Sequence, residues 1–214
     1  TLGEGPEGQR RPTLADAMNQ VADQLRAQGH KPYVLPGSGQ PAGTLGYVEC
    51  ALELAEQCDA LGLAPDWVCL TSSGGGQAGL LVGARFLGQP HRVVGCAPAP
   101  TSNPAARAAS IADLANRTAA LLGAAVHIAP QEVINLDCGG EAYGVPSPAG
   151  LEALRLLAQT EGIFLDPVYT SKGVGGLISQ IRKGVVGPGD TVIYVHTGGG
   201  PLNFAYSREL AEAY

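Results

Sequence analysis

Asp66-Trp67-Val68-Cys69-Leu70-Thr71-Ser72-Ser73-Gly74-Gly75-Gly76-Gln77-Ala78-Gly79 is the stretch on which the fold turns. The apolar run to Thr71 reads as a buried strand, the serines and glycines to Gly76 as a tight turn, and Gln77 to Leu87 as a helix. The alternation continues downstream. Arg92-Val93-Val94-Gly95-Cys96 is a second strand, followed by a proline-studded loop through Pro104 and an alanine-rich helix to Leu122. Val126-His127-Ile128-Ala129 is the next apolar run, and Ser147-Pro148 opens a helix with a cap residue followed by a first-turn proline, closing at Gly162. Lys172 to Arg182 suggests one more helix, and Thr191-Val192-Ile193-Tyr194-Val195-His196 is the clearest strand. Upstream, Thr13 with Asp16 caps a helix bearing Leu14, Met18, Val21 and Leu25, and Gly29 closes it. Tyr33-Val34-Leu35 reads as a short buried strand, Pro36 to Gly43 as a loop, and the next helix places Leu45, Val48, Leu52 and Ala55 on one face. Strands alternating with helices of this length imply an α/β fold, a three-layer parallel sheet with helices on both faces. Residues 1–12 are expected to be a polar leader or cleavage-exposed segment and residues 13–214 one domain.

The composition narrows the function. Thirty-one glycines in 214 residues show no Gly-X-Y period, so a collagen-like chain is excluded and the glycines serve turns and ligand loops. A net charge of −6 argues against a nucleic-acid scaffold, which needs clustered Lys and Arg. No apolar stretch is long enough to span a membrane. Five cysteines, Cys50, Cys58, Cys69, Cys96 and Cys138, include no C-x-x-C pair and read as free thiols of a reducing cytoplasm. Only three lysines occur: Lys31, Lys172 and Lys183.

Ligands of open parallel sheets bind beyond the carboxyl ends of the strands, and three segments fall there. In Thr71 to Gly79, glycines free backbone amides at a helix start, forming an anion cradle suited to phosphate; the alternative is a tight turn with no ligand. It is neither a P-loop nor a dinucleotide fingerprint. The second segment, Leu165-Asp166-Pro167-Val168-Tyr169-Thr170-Ser171-Lys172, presents hydroxyls, although alone it reads equally as a surface turn. The third, His196-Thr197-Gly198-Gly199-Gly200-Pro201, allows a planar ligand close to backbone. His196 itself, like His30, His91 and His127, carries no catalytic partner pattern.

These segments, with Tyr143-Gly144-Val145-Pro146, Lys31-Pro32-Tyr33-Val34 and Leu45-Gly46-Tyr47-Val48, resemble in order the pyridoxal-phosphate enzymes that include D-cysteine desulfhydrase and 1-aminocyclopropane-1-carboxylate deaminase. The resemblance covers the chain after the leader and implies fold type II, like the tryptophan synthase β chain, with pyridoxal 5′-phosphate as cofactor. It implies that Ser73, Gly74, Gly75, Gly76, Gln77 and Ala78 hold the phosphate, where the family often has Thr-His in place of Gly76-Gln77. Thr197 and Gly198 would lie beside the ring, with the neutral Thr197 hydroxyl near the ring nitrogen or the substrate. Tyr169 would be the hydroxyl at the reacting centre, with Tyr143 a second candidate that reads equally as a packed turn residue, and Thr170 would contact substrate. The family's deaminases resemble Tyr-Glu and His-Leu-Gly-Gly at two segments where this chain has Tyr169-Thr170 and His196-Thr197, the desulfhydrase pattern.

The resemblance also exposes a deficit. The family's Schiff-base lysine precedes the segments seen here, in an Asn-Lys-type segment, and a Ser-Asn-His-type segment accompanies it; neither occurs in these 214 residues. Lys172 matches a different family lysine. The expectation is therefore a cytoplasmic carbon–sulfur lyase that eliminates the β-sulfur group of a small β-substituted amino acid, working with an N-terminal partner chain that carries the lysine and forming a further dimer. A cyclopropane-type deaminase and a non-catalytic cofactor-binding subunit are the alternatives.

Overall fold

The computed structural model describes residues 13–35, 39–72 and 74–213, and these group into two compact units divided near residue 37. The expected leader and Ser73 lie outside the described residues.

The first unit is α1 (Leu14–Ala27) and the segment that follows it. Its start is the expected reciprocal box: the Thr13 hydroxyl accepts from Asp16 N at 3.2 Å, and the Asp16 carboxylate accepts from Thr13 N at 2.8 Å. The strand expected at residues 33–35 does not form. Tyr33 and Leu35 are 79% and 70% exposed, and the backbone there has no regular structure. Three residues between Pro32 and Pro36 offer few donors to a ladder, and no neighbouring strand is present to pair with them among the described residues.

The second unit carries the sheet. In order come α2 (Pro41–Leu61), β1 (Trp67–Thr71), α3 (Gly75–Phe86), β2 (Arg92–Ala97), α4 (Pro104–Leu122), β3 (Ile134–Asp137), α5 (Pro148–Glu161), α6 (Thr170–Arg182), β4 (Val192–Val195), α7 (Leu202–Ala205) and α8 (Ser207–Ala213). The strands are all parallel in the order β3-β2-β1-β4. Alternation along β1 separates the two faces. Val68 and Leu70 pack with Val93 against apolar residues of α2, α3 and α4, whereas Trp67 and Cys69 pack with Val94, Leu177 and Val186 on the α6 side. Helices therefore cover both faces, as the alternation of elements implies.

Two expectations shift. The run at residues 126–129 is not a strand; its backbone is paired instead by the Asn116 side chain, which accepts from Ile128 N at 2.8 Å and donates to Ile128 O at 3.0 Å. The strand lies further on, at β3. In α2 the buried stripe is Thr44, Val48, Ala51 and Cys58, because α3 approaches that face closely enough to exclude larger side chains. A Cβ at Gly79 would lie 2.5 Å from Tyr47 Cβ and 2.6 Å from Thr44 O. Gly79→Val is accordingly expected to cost about 1–3 kcal/mol through forced separation of α2 and α3, read as a lower urea midpoint; an unchanged midpoint would contradict this packing.

The strand order fixes where a ligand can sit. From β1 the chain moves through α3 to β2 and on to β3, then returns through α5 and α6 to β4 on the other side of β1. The order reverses at the β1–β4 boundary, and the crevice of an open parallel sheet opens beyond the strand carboxyl ends at such a point.

Candidate active site

Beyond β1 the chain turns directly into α3. The amides of Gly75 and Gly76 open that helix and have no carbonyl one turn back within it, so they are free to meet an anion at the positive end of the helix. Ser72 lies just before them. Its hydroxyl accepts from Gly74 N at 3.2 Å and from Gln77 N at 3.3 Å. Position 76 admits no larger residue without rearrangement: a Cβ there would lie 3.0 Å from Leu70 Cδ1 and 3.3 Å from Ser72 Oγ. Of the expected cradle residues, Ala78 spends its amide on Gly74 O inside the helix. Gln77 turns its fully buried side chain away from the loop and donates through Nε2 to Ile134 O at 2.8 Å. Among the described residues, the turn thus presents the amides of Gly75 and Gly76 beside Gly74 and the Ser72 hydroxyl as a candidate anion seat.

Tyr169 immediately precedes α6, where Asp166 caps the helix. The buried Asp166 carboxylate accepts from the amides of Val168 at 2.9 Å, Tyr169 at 2.7 Å and Thr170 at 2.8 Å, and from the Thr170 hydroxyl at 2.6 Å. One side chain thereby satisfies three backbone donors of the turn that leads into α6, the last of them the first amide of the helix. The Thr170 hydroxyl, expected at the substrate, is fully buried and committed to this cap, because the helix turns it inward. Gly199, at φ +93°, lies against the same carboxylate, where a Cβ would overlap Asp166 Oδ2. The loop beyond β4 is therefore seated on the α6 cap, and it carries the exposed Thr197 and Gly198. Gly198 N donates to His196 Nδ1 at 3.1 Å, which gives His196 a structural place in that loop.

A second link runs from β1. The hydroxyls of Thr71 and Tyr194 are 2.5 Å apart, and they lie 3.1 Å from Tyr169 O and 3.2 Å from Thr170 O respectively. The last residue of β1, which leads into the anion seat, is thus one hydrogen bond from the backbone of Tyr169. Burial pushes the Tyr194 phenol above its ordinary range, so it stays a neutral bridge.

The Tyr169 phenol meets that of Tyr143. Their hydroxyls are hydrogen bonded, and the rings stand edge to face with centroids 5.9 Å apart. Tyr143 is 59% exposed, and its loop is held by Tyr206, whose hydroxyl donates to Gly144 O at 2.7 Å. The hydrogen bond to Tyr143, reinforced by desolvation and by the nearby Asp166, pushes the Tyr169 phenol up to about 12. At neutral pH Tyr169 is a proton-bearing hydroxyl, fitted to donate.

Lys172, two residues into α6, is 1% exposed. Its ammonium donates to Gly139 O at 2.7 Å, Ala142 O at 3.0 Å and Pro98 O at 3.2 Å, tying the loops after β2 and β3 to α6; burial lowers its pKa. Lys172→Met would strand three inward carbonyls. It is expected to cost about 2–4 kcal/mol and to speed proteolysis in the 138–146 loop; equal wild-type and variant melting curves would refute that anchoring role.

Sequence places Thr71, Ser72, Asp166, Tyr194 and Lys172 in or beside the strand-end segments without assigning them these hydrogen-bonding roles. Their roles depend on which strand ends and helix starts lie side by side.

A sequence profile of the pyridoxal-phosphate-dependent enzymes matches residues 9–198. The chain is 37% identical over 202 residues to a D-cysteine desulfhydrase of Klebsiella pneumoniae, an alignment that takes in 92% of this chain and 59% of that protein. It is 38% identical over 193 residues to a 1-aminocyclopropane-1-carboxylate deaminase of Burkholderia cenocepacia, over 88% of this chain and 56% of the relative. The chain thus spans less than two thirds of the curated relatives it matches. A crystal structure of an ACC deaminase homologue superposes with a TM-score of 0.81 at 32% identity, covering 98% of this chain and 62% of that one. A threonine deaminase from Solanum lycopersicum shares the fold, with a TM-score of 0.57 over 94% of this chain and 57% of its own at 12% identity. The α/β unit is that of fold-type II enzymes, and the chain belongs to the pyridoxal-phosphate-dependent enzyme family, among relatives of D-cysteine desulfhydrase and 1-aminocyclopropane-1-carboxylate deaminase.

Proposed function

We propose that this chain forms the cofactor-phosphate and proton-donor side of a carbon–sulfur lyase that converts D-cysteine and water to pyruvate, ammonia and sulfide. The observation that carries the proposal is the coupled Tyr143–Tyr169 phenol pair, linked through Thr71 to the anion seat at the β1–β4 switch point.

The residues present fit pyridoxal phosphate. The seat is lined by backbone amides and the Ser72 hydroxyl, and enlarging Gly76 would crowd it. Ser72, Gly74, Gly75 and Gly76 would hold the phosphate, with Thr197 and Gly198 beside the ring. When bound, the cofactor supplies an electron sink that stabilises negative charge at the substrate α-carbon. The Tyr169 phenol holds a proton available to the departing sulfur, and Tyr143 fixes the phenol's direction. The Asp166 cap keeps Tyr169 and the 197–200 loop in register, and Thr197 offers the ring nitrogen a neutral partner.

The lysine is proposed to come from outside these 214 residues, on a partner chain. Lys172 is held by three carbonyls, Lys183 follows the end of α6, and Lys31 lies in the other unit. A cytoplasmic setting is supported by the five free cysteines, and no described helix is long and apolar enough to cross a membrane.

The test pairs this chain with a lysine-bearing family segment and supplies D-cysteine. Sulfide and pyruvate should appear only in the mixture, and borohydride should fix the cofactor on the added segment. Covalent fixation on Lys31, Lys172 or Lys183 would overturn the partner proposal. Release of ammonia from 1-aminocyclopropane-1-carboxylate, with no sulfide from D-cysteine, would overturn the lyase assignment in favour of a deaminase.

A further inference from the structure

We infer that Cys96 and Cys138 form a dithiol that hydrogen peroxide closes reversibly to a disulfide beneath the Tyr143 loop. Cys96 lies in β2 and Cys138 immediately follows β3, where Cys138 N donates to Ala97 O at 3.1 Å. The register Cys96↔Leu136 puts Cys138 diagonally across from Cys96 on the same sheet face. Both sulfurs lie over Gly176 of α6. A Cβ at Gly176 would overlap Cys138 Sγ and lie 4.0 Å from Cys96 Sγ, so the missing side chain makes room for two thiols. The two thiols thus share the space that the absent side chain of Gly176 leaves.

The members of the pair differ in the way such chemistry requires. Cys96 is completely buried, whereas Cys138 is half-buried and lines a groove of about 610 Å³ together with Gly140, Ser147, Lys172 and Lys183. Cys138, which the groove exposes, is therefore the attacking thiol and the buried Cys96 the resolving one, in keeping with a pKa that their mutual interaction lowers at Cys138 and raises at Cys96. Burial pushes the neighbouring Cys69 thiol up to about 12, which leaves it inert. No group of three metal-binding side chains is arranged to hold a metal ion among the described residues, so the pair is not part of such a site.

The chemistry balances with peroxide as oxidant. Cys138 sulfur attacks the O–O bond and becomes a sulfenic acid while one water leaves. Cys96 sulfur then attacks the sulfenyl sulfur, the S–S bond forms and the second water leaves. Two thiols and one hydrogen peroxide give one disulfide and two waters, each sulfur losing one electron. On parallel strands an offset of two residues, with the strand spacing of about 4.8 Å, puts Cα atoms roughly 8 Å apart, beyond the usual disulfide span of about 4.4–6.8 Å. Closure therefore draws residue 138 inward. That residue lies beyond the strand end and is followed by Gly139 and by Gly140 at φ +66°, and Gly139 O is held by Lys172. The pull passes directly to the loop carrying Tyr143.

The test treats the 214-residue chain with hydrogen peroxide, alkylates the remaining thiols and maps the products by peptide mass spectrometry. A Cys96–Cys138 linked peptide should form, with Cys50, Cys58 and Cys69 alkylated, and dithiothreitol should reverse it. Cys96→Ala should leave Cys138 as a sulfenic acid trapped by dimedone, whereas Cys138→Ala should leave Cys96 reduced. Linkage of Cys138 to Cys69, direct passage of wild-type Cys138 to sulfinic acid, or no oxidation of Cys138 would each overturn the inference. The wild-type map decides the matter even if a variant fails to fold.

Discussion

Tyr169→Phe in the lysine-complemented enzyme is expected to lower turnover of D-cysteine by about 10²–10⁴-fold while leaving cofactor absorbance and stability near wild type. The hydroxyl is the only part removed, and the ring keeps its edge contact with Tyr143. Its hydroxyl is not what holds the backbone: Asp166 fixes the Tyr169 amide and Thr71 contacts the Tyr169 carbonyl. Because the phenol is pushed up to about 12, the wild-type rate should not fall through loss of the Tyr169 proton until strongly alkaline pH. Tyr143→Phe removes the partner and should lower turnover by a smaller factor. Unchanged turnover in Tyr169→Phe, measured as sulfide released per active site, would remove this residue from the mechanism.

Asp166→Ala is expected to have the largest effect on stability, a loss of about 3–5 kcal/mol. The carboxylate satisfies three buried amides and a buried hydroxyl, and deletion would leave all four donors without an acceptor. Asp166→Asn should cost less, since one oxygen survives, yet its new N–H group would face donors. Urea denaturation of both variants against wild type checks the order. A cost in Asp166→Ala below that of a typical surface substitution would show that these hydrogen bonds are replaced by water.

The strand–glycine–helix passage at residues 66–79 makes the fold class legible because its information is local: apolar runs, caps and stops occupy consecutive positions. The same holds for Thr13, Ser147 and Gly162, each at the end of a helix as expected. The misread segments at residues 33–35 and 126–129 are apolar runs as well, but whether such a run becomes a strand depends on a neighbour. Asn116 takes the backbone at residue 128, and nothing described pairs the other. The site divides along the same line. Tyr143 and Tyr169 could be carried over from a family pattern, whereas the inward turn of Gln77 and Thr170 follows from helix phase against a particular strand and cap. Ser72 falls in the expected cradle segment, but a serine among glycines gives no sign of which amides its hydroxyl will take.

Ser72 has a wider significance for how the start of α3 is held. By accepting two amides at the start of α3, its hydroxyl serves as a resident understudy for a phosphate oxygen. In the proposed function a phosphate would meet the amides of Gly75 and Gly76, which the neutral hydroxyl leaves open, so discrimination would rest on negative charge and on simultaneous reach to both. The fold is spared two bare donors, and a side chain of the loop itself holds this turn together.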